Sequence, residues 1–203
     1  MFEVPYALNM LQEYQFDQIY HEHLSYFLVS PLVRILKRHG LSIFNIEDLG
    51  LHGGSIRVWT GLGEYKLPTM HTERERALGV FGIEFYESFA DKCYESKESL
   101  INVVKEYRPV AAIGAAAKAT VLCNFCEFTT EDIKYIVDDT PQKIGKYQPG
   151  TKIPIVSREK LNVDRPEYIF ILAWNYAEEI MQKFPGYQYI IPSPLRVISG
   201  AVI

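Results

Sequence analysis

The chain has 203 residues, 48% of them hydrophobic and 23% charged, with a formal net charge of −4. This is the composition of a globular protein with a substantial core, and without a basic stripe it argues against nucleic acid as a partner. No apolar run approaches the roughly 18 residues a membrane span needs; with no room for a signal peptide ahead of the first strand, the expected compartment is cytoplasmic.

Met1–Pro5 reads as a short strand that stops at the proline. The run Phe16-Asp17-Gln18-Ile19-Tyr20-His21-Glu22-His23-Leu24-Ser25-Tyr26-Phe27 follows. Tyr20, His21, Glu22 and His23 titrate or share protons, and His does so near neutral pH. With Phe16, Ile19, Leu24 and Phe27 as an apolar frame, the run reads as an acid/base site in a partly dry cleft. A loop whose histidines cap a helix or pair with Glu22 accounts for the same residue types. Three neighbours in an extended chain cannot all face one ion, which disfavours a metal site there.

Ser30-Pro31 predicts an N-cap and a first helical proline. Leu32, Val33, Ile35 and Leu36 supply the stripe, and His39-Gly40 the stop. Leu41–Leu49 and Ser55–Thr60 read as strands joined by the turn His52-Gly53-Gly54. From Thr72 to Tyr107 the apolar spacing is helical, as one helix or two joined near Glu95-Ser96. Strands follow at Pro109–Ile113, Ile133–Val137, Lys152–Val156, Tyr168–Leu172 and Tyr187–Ile191. Helices are predicted from Gly114 to about Phe125 and from Tyr176 to Lys183. This alternation predicts a parallel sheet with right-handed crossovers. Cys123 and Cys126 have CxxC spacing but no second pair, so one face of a helix is the expected reading.

Two loops stand where a parallel sheet binds ligands. Gly114-Ala115-Ala116-Ala117-Lys118 joins a strand to a helix, so its small residues and first amides suit a phosphate, with Lys118 adding charge. Tight helix–strand packing would select the same small residues. The polar loop from Asp138 to Thr151 offers Asp138 and Asp139 to ribose hydroxyls, and Lys143, Lys146 and Tyr147 to phosphate or base. Asn175 either caps the helix that follows or faces the same crevice.

Several stretches, in order, resemble the SAM-dependent C-methyltransferases of nucleotide-linked keto-deoxysugars. They are Phe2-Glu-Val-Pro-Tyr6, Phe16 to Phe27, His52-Gly-Gly-Ser-x-Arg57, Gly114 to Lys118, Tyr135 to Thr151, Ile153-Pro154 and Leu172-Ala-Trp-Asn-Tyr176. The resemblance implies a fold of class α/β: a C-terminal Rossmann-like parallel sheet domain (108–203), preceded by the closing helix and hairpin of a class I methyltransferase sheet (1–67) and a helical connector (68–107). It implies His23 as the base that removes the proton beside the sugar ketone, with Tyr20 and Glu22 as companions and His21 as the competing base. The methyl group would come from S-adenosyl-L-methionine. Gly114, Ala115, Ala116, Lys118, Asp138, Lys143, Lys146, Tyr147 and Asn175 would hold a dTDP-type nucleotide-sugar. The family's zinc cysteines, first strands and glycine-rich SAM loop have no counterpart here. The expectation is therefore a C-terminal portion working with a separate SAM-binding chain or by self-association, with a stand-alone nucleotide-sugar-binding module or an inactive fragment as alternatives. The first 65 residues, as a sheet remnant with an open edge, are expected to be poorly ordered or buried by dimerisation.

Overall fold

The computed structural model describes residues 1–50 and 53–198. They form two units, one from Met1–Gln15 with His21–Cys93, the other from Phe16–Tyr20 with Tyr94 onward.

The first unit contains β1 (Phe2–Pro5), α1 (Ala7–Gln12), α2 (Val29–Arg38), β2 (Leu41–Leu49), β3 (Ser55–Leu62), α3 (Met70–Ala77) and the start of α4 (Ile83–Tyr107). Its sheet runs β1-β3-β2, with β3 antiparallel to both neighbours. Val29 and Leu32 of α2 pack with Ile43, Ile46, Ile56 and Val58 of the strands and with Tyr6 and Leu8. The segment expected as a remnant thus has its own core.

The start of α2 departs from expectation. Ser30 and Pro31 lie inside the helix, and Leu28 occupies the cap position without a side-chain bond. The cap comes from Glu75, whose carboxylate accepts from the N–H groups of Val29 (2.5 Å) and Ser30 (2.9 Å) and from the Tyr6 hydroxyl (3.0 Å). Glu75 is fully buried. It satisfies two of the amides a helix start leaves open and faces the positive end of the helix dipole.

The helical stretch breaks at Leu78–Gly82, not near Glu95-Ser96, which lie within α4. Gly79 has φ +72°. Its N–H reaches Arg76 O (3.1 Å), and the Val80 N–H reaches Glu75 O (3.3 Å). That pairing ends a helix through a left-handed glycine, and buried Val80 fastens the turn to the core.

The second unit contains β4 (Val110–Ile113), α5 (Ala117–Phe125), β5 (Ile133–Val137), β6 (Ile155–Val156), α6 (Glu159–Asp164), β7 (Tyr168–Ile171), α7 (Ala177–Lys183), β8 (Gln188–Pro192) and β9 (Leu195–Ile198). The sheet order is β6-β5-β4-β7-β8-β9, parallel except for β9. Alternate strand residues serve opposite faces. Ala112, Ile136, Phe170 and Ile190 meet Leu100 and Val104 of α4 and Leu122 and Cys123 of α5. Ala111, Ile113, Tyr135, Val137, Ile169 and Ile171 meet Leu161 of α6 and Ala177 of α7. The result is the helix–sheet–helix sandwich of an α/β domain. The short α1, α6 and β9 lack the length over which periodicity is legible, and the expected strand at Lys152–Val156 shrinks to two residues.

Candidate functional site

In the second unit the first three strands in sequence lie on one side of the sheet order and the next two on the other. The order therefore reverses between β4 and β7, and ligands of such sheets bind outside the carboxyl ends of the strands at that reversal. A cleft of about 310 Å³ opens there. Ile113, Gly114, Val137, Asp138, Asp139 and Thr140 form one wall. Tyr176, Glu179, Ile180, Lys183 and Phe184, from α7 and its flanks, form the other.

The two aspartates are locked differently. Asp138 accepts from the Ala115 N–H (2.9 Å), the Thr140 N–H (2.9 Å) and Lys143 Nζ (3.2 Å). Burial alone would raise its carboxyl, but the Thr140 and Lys143 donors outweigh that and hold it below the usual range. Asp139 is held low mainly by Lys183 (2.7 Å), against the opposing effect of burial, with Arg158 adding bonds of 2.9 and 2.5 Å. The Arg158 guanidinium and Lys183 ammonium both stand near the Phe184 ring, at 5.9 and 5.8 Å. The cleft thus offers an aromatic face, carboxylates with spare lone pairs and one ammonium. Such a set has the chemistry to stack against a flat ring and to accept from hydroxyl groups.

Gly114, Asp138 and Asp139 line the cleft, yet Gly114 serves packing. A Cβ there would meet the Ala173 Cβ at 2.7 Å, and φ is +98°. Ala115 spends its N–H on Asp138 and its carbonyl on Lys143 Nζ (2.9 Å), while Ala116 is the N-cap of α5. The loop from Asp138 to Thr151 is pinned. Gly145 N–H bonds Ile155 O (2.9 Å), Ile155 N–H bonds Lys146 O (2.8 Å), and Tyr147 bridges to Pro154. The Lys146 and Tyr147 side chains remain exposed on it.

Lys118 and Asn175 lie elsewhere. Lys118 is buried, donates to Asn175 Oδ1 (2.9 Å) and sits 4.5 Å from the Trp174 ring centre. Asn175 caps no helix; the caps here are Ala173 and Tyr176, without side-chain bonds. Its ammonium is engaged in this contact and does not line the cleft, unlike the sequence-based expectation of a phosphate ligand there. Sequence reading missed Tyr176, Glu179, Ile180, Lys183 and Phe184. Their i, i+3, i+4, i+7, i+8 spacing along α7 and its two caps was the available signal.

The proton-transfer run contains no strand. Phe16–Gln18 is a 3-10 turn of the second unit, with the Phe16 ring 4.7 Å from Phe125. Tyr20 ends that segment, and Glu22 and His23 belong to the first unit. The His21 and Glu22 side chains are 85% and 69% exposed and 3.9 Å apart. His23 meets Tyr26 edge to face at 6.3 Å. The expected dry frame does not form, because Leu24 is 90% and Ile19 49% exposed. His52 lies outside the described residues. Among the described residues no helix is long and apolar enough to cross a membrane.

Sheet order, crossovers and cleft place the second unit among Rossmann-like α/β domains. Residues 50–193 match the family described as C-methyltransferase C-terminal domain, and the chain belongs to that family. It is 35% identical over 213 residues to the C-methyltransferase NovU of Streptomyces niveus, an alignment covering 98% of this chain and 51% of that protein. The chain therefore spans about half the length of this relative.

Proposed function

We propose that this chain is the C-terminal part of a SAM-dependent C-methyltransferase acting on a nucleotide-linked keto-deoxysugar, and that its cleft at Gly114, Asp138, Asp139 and Lys183 holds the nucleotide. The observation that carries the reading is this cleft at the sheet reversal, in a chain of the C-methyltransferase family. Tyr176 and Phe184 suit the base, and the carboxylates suit the sugar hydroxyls. Lys143, Lys146 and Tyr147 border the diphosphate.

His23 is the base in this reading. It takes the proton from the carbon beside the ketone, and the electron pair moves into an enolate. The Tyr20 hydroxyl donates to the enolate oxygen, and Glu22 binds a hydroxyl or orients a ring. Among the described residues the strand–glycine–helix turn at Gly114 has its bare face against Ala173 and its first amide on Asp138, so this turn offers SAM no open backbone. The methyl donor is assigned to a separate SAM-binding chain or a longer product.

Calorimetric titration of the purified chain with dTDP, and separately with SAM, tests the reading. Heat from dTDP and none from SAM is expected. No binding of either would remove the nucleotide assignment and leave an inactive fragment as the better account.

A further inference from the structure

Phe16–Tyr20 packs with the second unit although the chain on both sides belongs to the first. A strap this short has little surface to hold it, and its anchor is polar. Asp17 is 2% exposed and accepts the Trp174 indole N–H at 2.5 Å. Lys118, 7% exposed, places its ammonium 4.5 Å from the centre of the same indole ring and donates to Asn175 Oδ1 at 2.9 Å. The Phe16 ring closes on Phe125 of the helix that carries Lys118. Burial pushes the Asp17 carboxyl up and the Lys118 ammonium down, and each charge opposes the other's shift. A buried acid and base facing one indole form a network whose members stand or fall together.

We propose that Asp17, Trp174, Lys118 and Asn175 form a latch that fixes the strap, and that they are positioning residues for Tyr20, three residues beyond Asp17. The turn bonds Ile19 N–H to Phe16 O (3.0 Å) and Tyr20 N–H to Gln18 O (3.1 Å), so fixing Asp17 fixes the backbone that carries the Tyr20 hydroxyl. The link to catalysis rests on the function proposed above; the latch itself does not.

Hydrogen exchange and the indole proton resonance of the whole chain test it. In the native chain the Trp174 indole proton should resonate downfield, as expected of a donor to a carboxylate. Asp17→Ala should move it upfield and speed exchange of the Ile19 and Tyr20 amides at least about tenfold, while amides of β4 and β5 change little. Asp17→Asn, which keeps an acceptor but not the charge, should recover part of the protection. Pairing it with Lys118→Met, which removes the opposing ammonium, should recover more than the sum of the single effects. Unchanged exchange at residues 19 and 20, or the same loss across the sheet, would overturn the latch. Should Asp17→Ala fail to fold, Trp174→Phe, which keeps the ring and removes the donor, reads the same amides. Titration with dTDP separates the two ideas. Native chain that binds no dTDP but shows the exchange pattern refutes the nucleotide reading and leaves the latch standing.

Discussion

Gly114 and Ala173 approach so closely that a Cβ on the glycine would lie 2.7 Å from the alanine Cβ. The contact joins the ends of β4 and β7, the two strands that flank the reversal. Gly114→Ala combines this clash with an unfavourable φ of +98° and is expected to lower stability by about 2–4 kcal/mol. Adding Ala173→Gly should return the side-chain clash and leave the backbone strain and the close Ala173 N at 3.2 Å. Urea unfolding of the two variants measures both, and a neutral single variant would refute the packing role.

Glu75 links α3 to the start of α2. Glu75→Ala leaves two amides and the Tyr6 hydroxyl without their acceptor in a buried site, at a cost of about 2–3 kcal/mol. Glu75→Gln keeps one acceptor oxygen and should cost less. Burial, followed by the Glu75 charge, pushes the Tyr6 phenol far above its ordinary value, so its hydroxyl stays protonated through the neutral range and remains a donor. Unfolding midpoints that rank Ala below Gln below native support the cap; equal midpoints for all three do not.

Lys183 carries the cleft's ammonium. Lys183→Met should weaken dTDP binding about tenfold or more, a loss of ~1.4 kcal/mol. It should hardly change the melting temperature, because its partner Asp139 is half exposed and keeps Arg158. Calorimetry beside thermal unfolding separates these effects. Loss of melting temperature with unchanged affinity would move Lys183 from the binding role to a structural one.

Acid should loosen the second unit through its cleft. Asp138 and Asp139 bind protons less readily folded than unfolded, so their contribution is complete above the unfolded carboxylate range and is lost as pH falls through their folded values. Asp17 runs the other way: its raised carboxyl stabilises at low pH, and that gain disappears as pH rises through its folded value. Urea midpoints should fall below about pH 4. Asp139→Asn should flatten that fall, and an unaltered profile in the variant would count against the Asp139 pairs.

The second unit was largely legible because its strands are short buried runs bounded by Gly, Pro and acidic turns. Ile133–Val137 emerges with the expected bounds, and the helix after Gly114 ends at Phe125. What escaped was non-local. Ser30-Pro31 looked like a cap because Glu75, 45 residues on, cannot be seen from Ser30. Lys118 looked like a phosphate ligand because a lysine in a helix's first turn gives no sign that Asp17 and Trp174 will enclose it. His21 and Leu24 looked like parts of a dry cluster because residue type says nothing of exposure. Lys183 and Phe184 were readable in part, since their helical spacing from Tyr176 was present in the chain.

All three thiols are buried: Cys93 in the first unit, Cys123 and Cys126 in the second. Burial pushes Cys93 up to about 11 and Cys126 up to about 12, and lifts Cys123 as well. A thiol reagent at neutral pH therefore finds little thiolate and no open path until the surrounding fold opens. Each thiol carries its own clock, and alkylation rates resolved by peptide would time the opening of the fold around each one separately.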